Sequence, residues 1–270
     1  MFSNSISKEI FWNTCSSFLL QGIAFLTAPI FTRLLSPSDY GQMSTYNSWV
    51  SLASLFVGLQ TYGTIGVAHV KFSKADFNRY LSSVMTISLL SFVALLMLSF
   101  ILKDFIARRL GFPRFFIPLI ITNSFFGYCI GFYNRKLIKQ HKIIRNNIIV
   151  FLKTLAGILL SLLMVLSTSE NRYISKIIAD NIIVCAFGLP IFFVVMLRGR
   201  CFYKAAYWKF CLNFCLPLIL HGATGVVFTQ TDRVMLKSMV GEAETGIYSV
   251  TYTLAMIISI LWTSFNTIWT

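Results

Sequence analysis

The chain has 270 residues, 56% of them hydrophobic and 12% charged, with a formal net charge of +14. Soluble domains average about 45–50% apolar and about 25% charged residues, so this composition excludes a soluble globular fold. Its 26 Phe exclude disorder, and the Lys and Arg residues sit between apolar runs rather than on a separate basic surface, which excludes nucleic-acid binding. The expected fold class is an all-α, polytopic membrane helix bundle.

A spanning helix needs about 20 mostly apolar residues, and eight runs qualify. The polar start, Met1 to Glu9, leads into a first span from Ile10 to Leu35, too long for the apolar core of a cleavable signal peptide. The second runs from Met43 to Val70, the third from Tyr80 to Leu102, the fourth from Phe115 to Tyr133. The fifth is Ile148 to Leu166, the sixth Ile174 to Leu197, the seventh Phe210 to Thr231. The eighth begins near Gly246 and runs into the chain end. The absence of sustained polar/apolar alternation argues against a β-barrel.

With the N-terminus cytoplasmic, thirteen Lys and Arg fall in inner segments and nine in outer ones, including a basic outer connection from Lys103 to Arg114. This bias predicts an inner N-terminus. The densest inner connection carries Arg135, Lys136, Lys139, Lys142 and Arg145 and no acid. Its primary reading is a topology anchor, and its sharper reading is a hold on an anionic lipid headgroup. The six cysteines read as small packing residues, Cys211 and Cys215 sharing a helix face without His or acidic company. Gly127-x-x-x-Gly131 reads as a helix-packing motif.

An internal repeat is visible at an offset of 205 residues. Asp39-Tyr-Gly41-Gln-Met-Ser44 follows span one, and Glu244-Thr-Gly246-Ile-Tyr-Ser249 follows span seven. Both preceding spans contain a proline, Pro29 or Pro217, and end with Arg33 or Arg233. Six spans per copy implies parallel repeats about an axis along the membrane normal. The expected domains are a six-helix lobe over 1–209 and the first two helices of an incomplete second lobe over 210–270. Two full copies would need about 410 residues on the twelve-span parallel-repeat plan, so the chain is expected to be incomplete at its C-terminus.

The segment Thr32-Arg33-Leu34-Leu35-Ser36-Pro37-Ser38-Asp39-Tyr40-Gly41 resembles the first-loop signature of polysaccharide-repeat-unit (O-antigen) flippases. Pro217 to Tyr248, with Thr231-Asp232-Arg233 and Gly246-Ile247-Tyr248-Ser249, resembles their matching seventh-span signature. These flippases form a branch of the multidrug/oligosaccharidyl-lipid/polysaccharide exporter superfamily. The resemblance implies a multi-pass protein of the bacterial inner membrane that translocates undecaprenyl-diphosphate-linked oligosaccharide by alternating access. It implies lipid-linked oligosaccharide, membrane lipids, a polysaccharide polymerase and chain-length proteins as partners, and no nucleic acid.

Ionisable groups within spans cost at least about 2.5–3.5 kcal/mol at the bilayer centre, so each calls for a reason. Arg33 either snorkels to the interface or presents a bidentate cation to a diphosphate, a role the resemblance favours. Lys153 lies about six residues into span five, roughly 9 Å deep, and either snorkels or attracts the same phosphates. Asp180 is expected to pair with Lys153, Lys176 or Arg33, or else to couple a proton or sodium ion. His221 is expected to be packed and hydrogen-bonded between helices, with a proton-sensitive switch as the sharper reading. Asp232 and Arg233 close span seven as an interfacial pair or as a gate contact. No P-loop, dinucleotide fingerprint, nucleophile constellation or metal cluster is present, so neither an enzyme nor a cofactor is expected. The runner-up readings are a cation-coupled drug exporter of the same superfamily and a non-functional truncated product.

Overall fold

The computed structural model describes residues 22–23, 27, 29–168 and 171–269, with the side chains of 108–110 and 257–269 outside that description. Most of the first expected span lies outside the described residues. After helical residues 29–34, the elements are α1 (Pro37–Gly58), a 3-10 turn (Thr61–Thr64), α2 (Ile65–Lys71), α3 (Lys74–Ile101) and α4 (Lys103–Leu110). They continue as α5 (Phe116–Lys139), α6 (Ile143–Leu166), α7 (Arg172–Gly199), α8 (Ala205–Met239) and α9 (Glu242–Trp269). Among the described residues there is no strand, and five helices are long and apolar enough to cross a membrane, six when α1 and the bent segment after it count as one span. The fold is therefore the expected all-α, polytopic membrane bundle. Exposed Leu163 on α6 and Phe228 on α8 are tolerable because lipid, not water, is their solvent.

Helix starts follow local chemistry. Ser36 caps α1: its backbone N–H and hydroxyl both donate to Asp39 (3.2 and 2.8 Å), while the Asp39 N–H donates back to the Ser36 hydroxyl at 3.1 Å. Pro37 then occupies the first helical position, where its missing N–H costs nothing. At the start of α3 the Ser73 hydroxyl likewise donates to the Asp76 carboxylate and accepts from the Asp76 N–H. The basic connection from Lys103 to Arg114 is not a plain loop. It forms the short helix α4, which Gly111 ends in the left-handed conformation (φ 66°) and an Asp104–Arg114 ion pair (2.9 Å) ties down.

The second expected span is not continuous. It bends by 55° between α1 and the segment Thr61–Lys71, through Leu59 and Gln60, both left-handed at φ 45° and 53°. Non-glycine residues adopt that conformation only when their surroundings enforce it. Here Thr61 donates to the Gly58 carbonyl and pairs with the Tyr128 hydroxyl, while Tyr80 donates to Thr64 (2.6 Å), which donates to the Thr61 carbonyl. All four hydroxyl side chains are buried, and together they satisfy the polar groups that the break releases. Gly58 is required by close approach, since a Cβ there would sit 2.7 Å from the Tyr128 ring. Gly58→Val is expected to destabilise the protein by about 1–3 kcal/mol, as overpacking does, read as a lower thermal midpoint in detergent. An unchanged midpoint would remove Tyr128 as the fixed support of the break.

The chain divides into two compact units. One is drawn from 1–45, 140–180 and 232–270, the other from 46–139 and 181–231. The first has a small core of Phe31, Leu35 and Val165 with Leu34, Tyr40, Met43 and Leu162 packed on it. The second has a larger aromatic core, including Phe77, Tyr80, Phe116 and Phe132, all at most 2% exposed.

Candidate functional site

The two copies of the repeat meet in the first unit. The starts of α1 and α9 run parallel, and repeat-equivalent residues face each other: the Ser44 hydroxyl donates to the Ser249 hydroxyl at 2.7 Å, across 205 positions. A Cβ on Gly41 would lie 1.9 Å from the Glu242 carbonyl oxygen, and one on Gly246 would lie 1.9 Å from the Pro37 carbonyl oxygen. Pro37 and Glu242 are themselves one repeat apart, so the contacts are reciprocal, as about a local two-fold axis. Such proximity brings each glycine Cα–H against a carbonyl, a weak bond of about 0.5–1 kcal/mol, and only glycine allows it.

A polar cluster borders this crossing. Glu242 accepts from the Ser38 hydroxyl (2.9 Å) and from the Gln42 side-chain amide, and lies 3.8 Å from Lys237. Lys237, nearly buried, donates to the Gln42 side-chain amide oxygen (Oε1) at 2.6 Å. Lys237 at the end of α8, Gln42 on α1 and Glu242 at the start of α9 therefore form one charge-assisted triangle. Glu242 also sits where a helix N-terminus favours an anion. Sequence reasoning singled out none of these three, although Glu242 lies one repeat from Pro37.

Asp232 and Arg233 join the same end of the unit. They do not close a helix, since α8 continues to Met239. Asp232 accepts the Tyr248 hydroxyl, and the Arg233 guanidinium lies over the Tyr252 ring at 4.4 Å, so both tie α8 to α9. Asp180 is held by Lys176 at 2.8 Å through both carboxylate oxygens and by the Ser161 hydroxyl at 3.0 Å. Of its three expected partners, Lys176 takes it, because the two residues are one turn apart on α7. Lys153 is half-buried on α6 and is not among the hydrogen-bond partners of Asp180. Arg33 is exposed. The arginine that does engage the preceding segment is Arg172, which donates to the Leu34 carbonyl at 2.8 Å.

His221 departs from its default expectation. It is exposed on α8, as Leu220 and Phe228 are, rather than packed between helices among the described residues. Cys211 and Cys215 pack as expected, buried with sulfurs 3.7 Å apart. Gly127 and Gly131 pack against no helix among the described residues: a Cβ on either would meet nothing within 4 Å. They line a cavity instead.

A family described as "polysaccharide biosynthesis protein" matches residues 6–269. A protein of the Lsg locus of Haemophilus influenzae is 23% identical over 246 residues, covering 88% of this chain and 58% of that protein. The inward-facing structure of a multidrug-resistance MATE-family transporter of the MOP superfamily has the same fold, with a TM-score of 0.64 at 14% identity over 90% of this chain and 61% of its own length. The chain thus spans about three fifths of the length of the proteins it matches.

Proposed function

This chain belongs to the polysaccharide biosynthesis protein family, and on that premise we propose that it is part of a flippase that moves lipid-linked oligosaccharide repeat units across the bacterial inner membrane by alternating access. The substrate is an undecaprenyl-diphosphate-linked unit of O-antigen or a related surface polysaccharide. The N-terminus is cytoplasmic, and residues 1–209 and 210–270 belong to the first and second of two parallel lobes. The observation that carries the reading is the reciprocal Gly41–Gly246 crossing, since a helix pair joined through its repeat-equivalent residues is a natural point of opening and closure. Asp232, Arg233 and the Lys237–Glu242 pair brace the closed state from α8 and α9. Arg33 and Lys153, neither of them in an ion pair among the described residues, supply positive charge for the diphosphate. A cation-coupled drug exporter is less well supported, because Asp180 is already paired with Lys176 and Asp232 already accepts the Tyr248 hydroxyl.

The test is complementation of a strain lacking its O-antigen flippase, in a cell that makes the matching glycan. Surface glycan is expected to return with the gene and to fall at least about tenfold with Arg33→Ala or Lys153→Ala at normal protein levels, the loss of about one charge-assisted contact. Failure of the unaltered gene would sink the flippase reading. Wild-type display with both variants would remove the roles given to Arg33 and Lys153.

A further inference from the structure

Two adjoining cavities lie in the second unit, and the broken span creates them. The first, about 320 Å³, is a chamber lined by Ser51, Ser54, Tyr62, Asn123, Gly127 and Gly131 among others. The second, about 660 Å³, is lined by Gly66, Arg135 and Lys139 together with the apolar side chains of Ile65, Val67 and Ile138. Tyr62 and Arg135 line both, with the guanidinium 4.4 Å from the ring centroid. Both volumes fall within the range of about 300–1,000 Å³ typical of small-molecule sites.

The chemistry is graded along this path. In the chamber, the Ser51 and Ser54 hydroxyls donate to carbonyls of their own helix, which leaves their oxygens able to accept, and Asn123 adds an amide. The chamber is hollow because Gly127 and Gly131 carry no side chain, as nothing else lies within 4 Å of where one would begin. At the junction stands Arg135, with Lys139 one turn on along α5 in the larger cavity, and neither has an acidic partner among the described residues. Lys139 reaches over Gly66, its Nζ 3.8 Å from that residue's Cβ position. Beyond them the walls are aliphatic. A topology anchor needs the two charges, but not a stacked guanidinium, a hydroxyl-lined chamber behind it and an apolar mouth in front.

We infer that Tyr62, Arg135 and Lys139 form a second binding station, which takes a diphosphate at the two cations, with a sugar ring in the chamber and any attached lipid chain along Ile65 and Ile138. The diphosphate fits because Arg donates a planar fork and Lys a mobile point charge, and with Arg135 stacked on Tyr62 the fork is oriented in advance. This inference rests on the proposed function, since it names where that substrate would first be held.

The test uses the full chain in phosphatidylcholine nanodiscs and measures equilibrium binding of farnesyl diphosphate and of inorganic pyrophosphate. Saturable binding is expected, weakened at least about tenfold by Arg135→Gln or Lys139→Gln and unaffected by Arg79→Gln, an exposed cation elsewhere in the fold. Tighter binding of farnesyl diphosphate assigns a lipid-borne ligand, and equal binding assigns a soluble diphosphate. Gly131→Leu places a side chain in the chamber from a position where a Cβ meets nothing within 4 Å, so a monosaccharide-bearing prenyl diphosphate should then bind no better than the bare one. Unchanged affinity in Arg135→Gln and Lys139→Gln, or an equal loss in Arg79→Gln, overturns the site. If the gene restores surface glycan while Arg135→Gln binds normally, this inference alone fails. If the gene restores none while Arg135→Gln loses binding, the flippase reading alone fails.

Discussion

Cysteines at Ser44 and Ser249 should form a disulfide in the membrane under mild oxidation, and export of surface glycan should fall more than about tenfold until reductant is added. The geometry is favourable because the two hydroxyl oxygens are already 2.7 Å apart on parallel helices, and a disulfide needs Cβ atoms about 3.8 Å apart. The functional consequence follows from alternating access: a site open to one side of the membrane and then the other requires helices that touch at one end to part there. A covalent link between repeat-equivalent residues freezes one state without altering Arg33 and Lys153, the groups proposed to meet the diphosphate. Each single-cysteine variant keeps the ability to open and should export normally. A cross-linked protein exporting at the uncross-linked rate would show that this crossing stays shut throughout the cycle, and the gate would have to be sought elsewhere.

Hydropathy was enough to locate the long helices among the described residues, though not the break in the second span or the short helix α4, because a bilayer demands long apolar runs and this chain has few charges to interrupt them. The offset of 205 was equally legible, since the acid, glycine and serine recur in fixed spacing. The contact between the two copies was not, because nothing in either copy says that its partner is the other. The break after Gly58 was hidden for a similar reason: Leu59 and Gln60 look like ordinary helix residues, and the hydroxyls that stabilise the bend come from Tyr80 and Tyr128 in other helices. Gly127 and Gly131 expose a deeper ambiguity. A glycine pair one turn apart is the same signal whether a neighbouring helix packs on it or a cavity opens over it, and only the position of α1 decides. Arg33 and Arg172 illustrate the limit for charged groups, because which of them reaches the Leu34 carbonyl depends on how α7 returns to the segment before α1.

That ambiguity can be turned into a measurement with a sign. Replacing a helical glycine by alanine stabilises an unconstrained helix by about 0.8–1 kcal/mol, so intrinsic propensity predicts a gain at every such position. Gly127→Ala and Gly131→Ala should show that gain, since their added carbons enter empty space. Gly41→Ala and Gly246→Ala should do the reverse. Their Cβ atoms would lie 1.9 Å from a carbonyl oxygen of the facing helix, so α1 and α9 must separate by about 1.5 Å or more to reach normal contact. The separation sacrifices both Cα–H to carbonyl contacts and lengthens the Ser44–Ser249 bond, a net loss of about 1–3 kcal/mol. Thermal midpoints in detergent should therefore rise for the first pair and fall for the second, and the yield of the Ser44→Cys/Ser249→Cys cross-link should drop when either crossing glycine carries a methyl group. Because the contacts are reciprocal, Gly41→Ala and Gly246→Ala should cost nearly the same, and the double variant less than their sum, since one separation relieves both clashes. Fully additive losses would mean that the two glycines report on independent contacts, and the local two-fold axis would have no mechanical meaning.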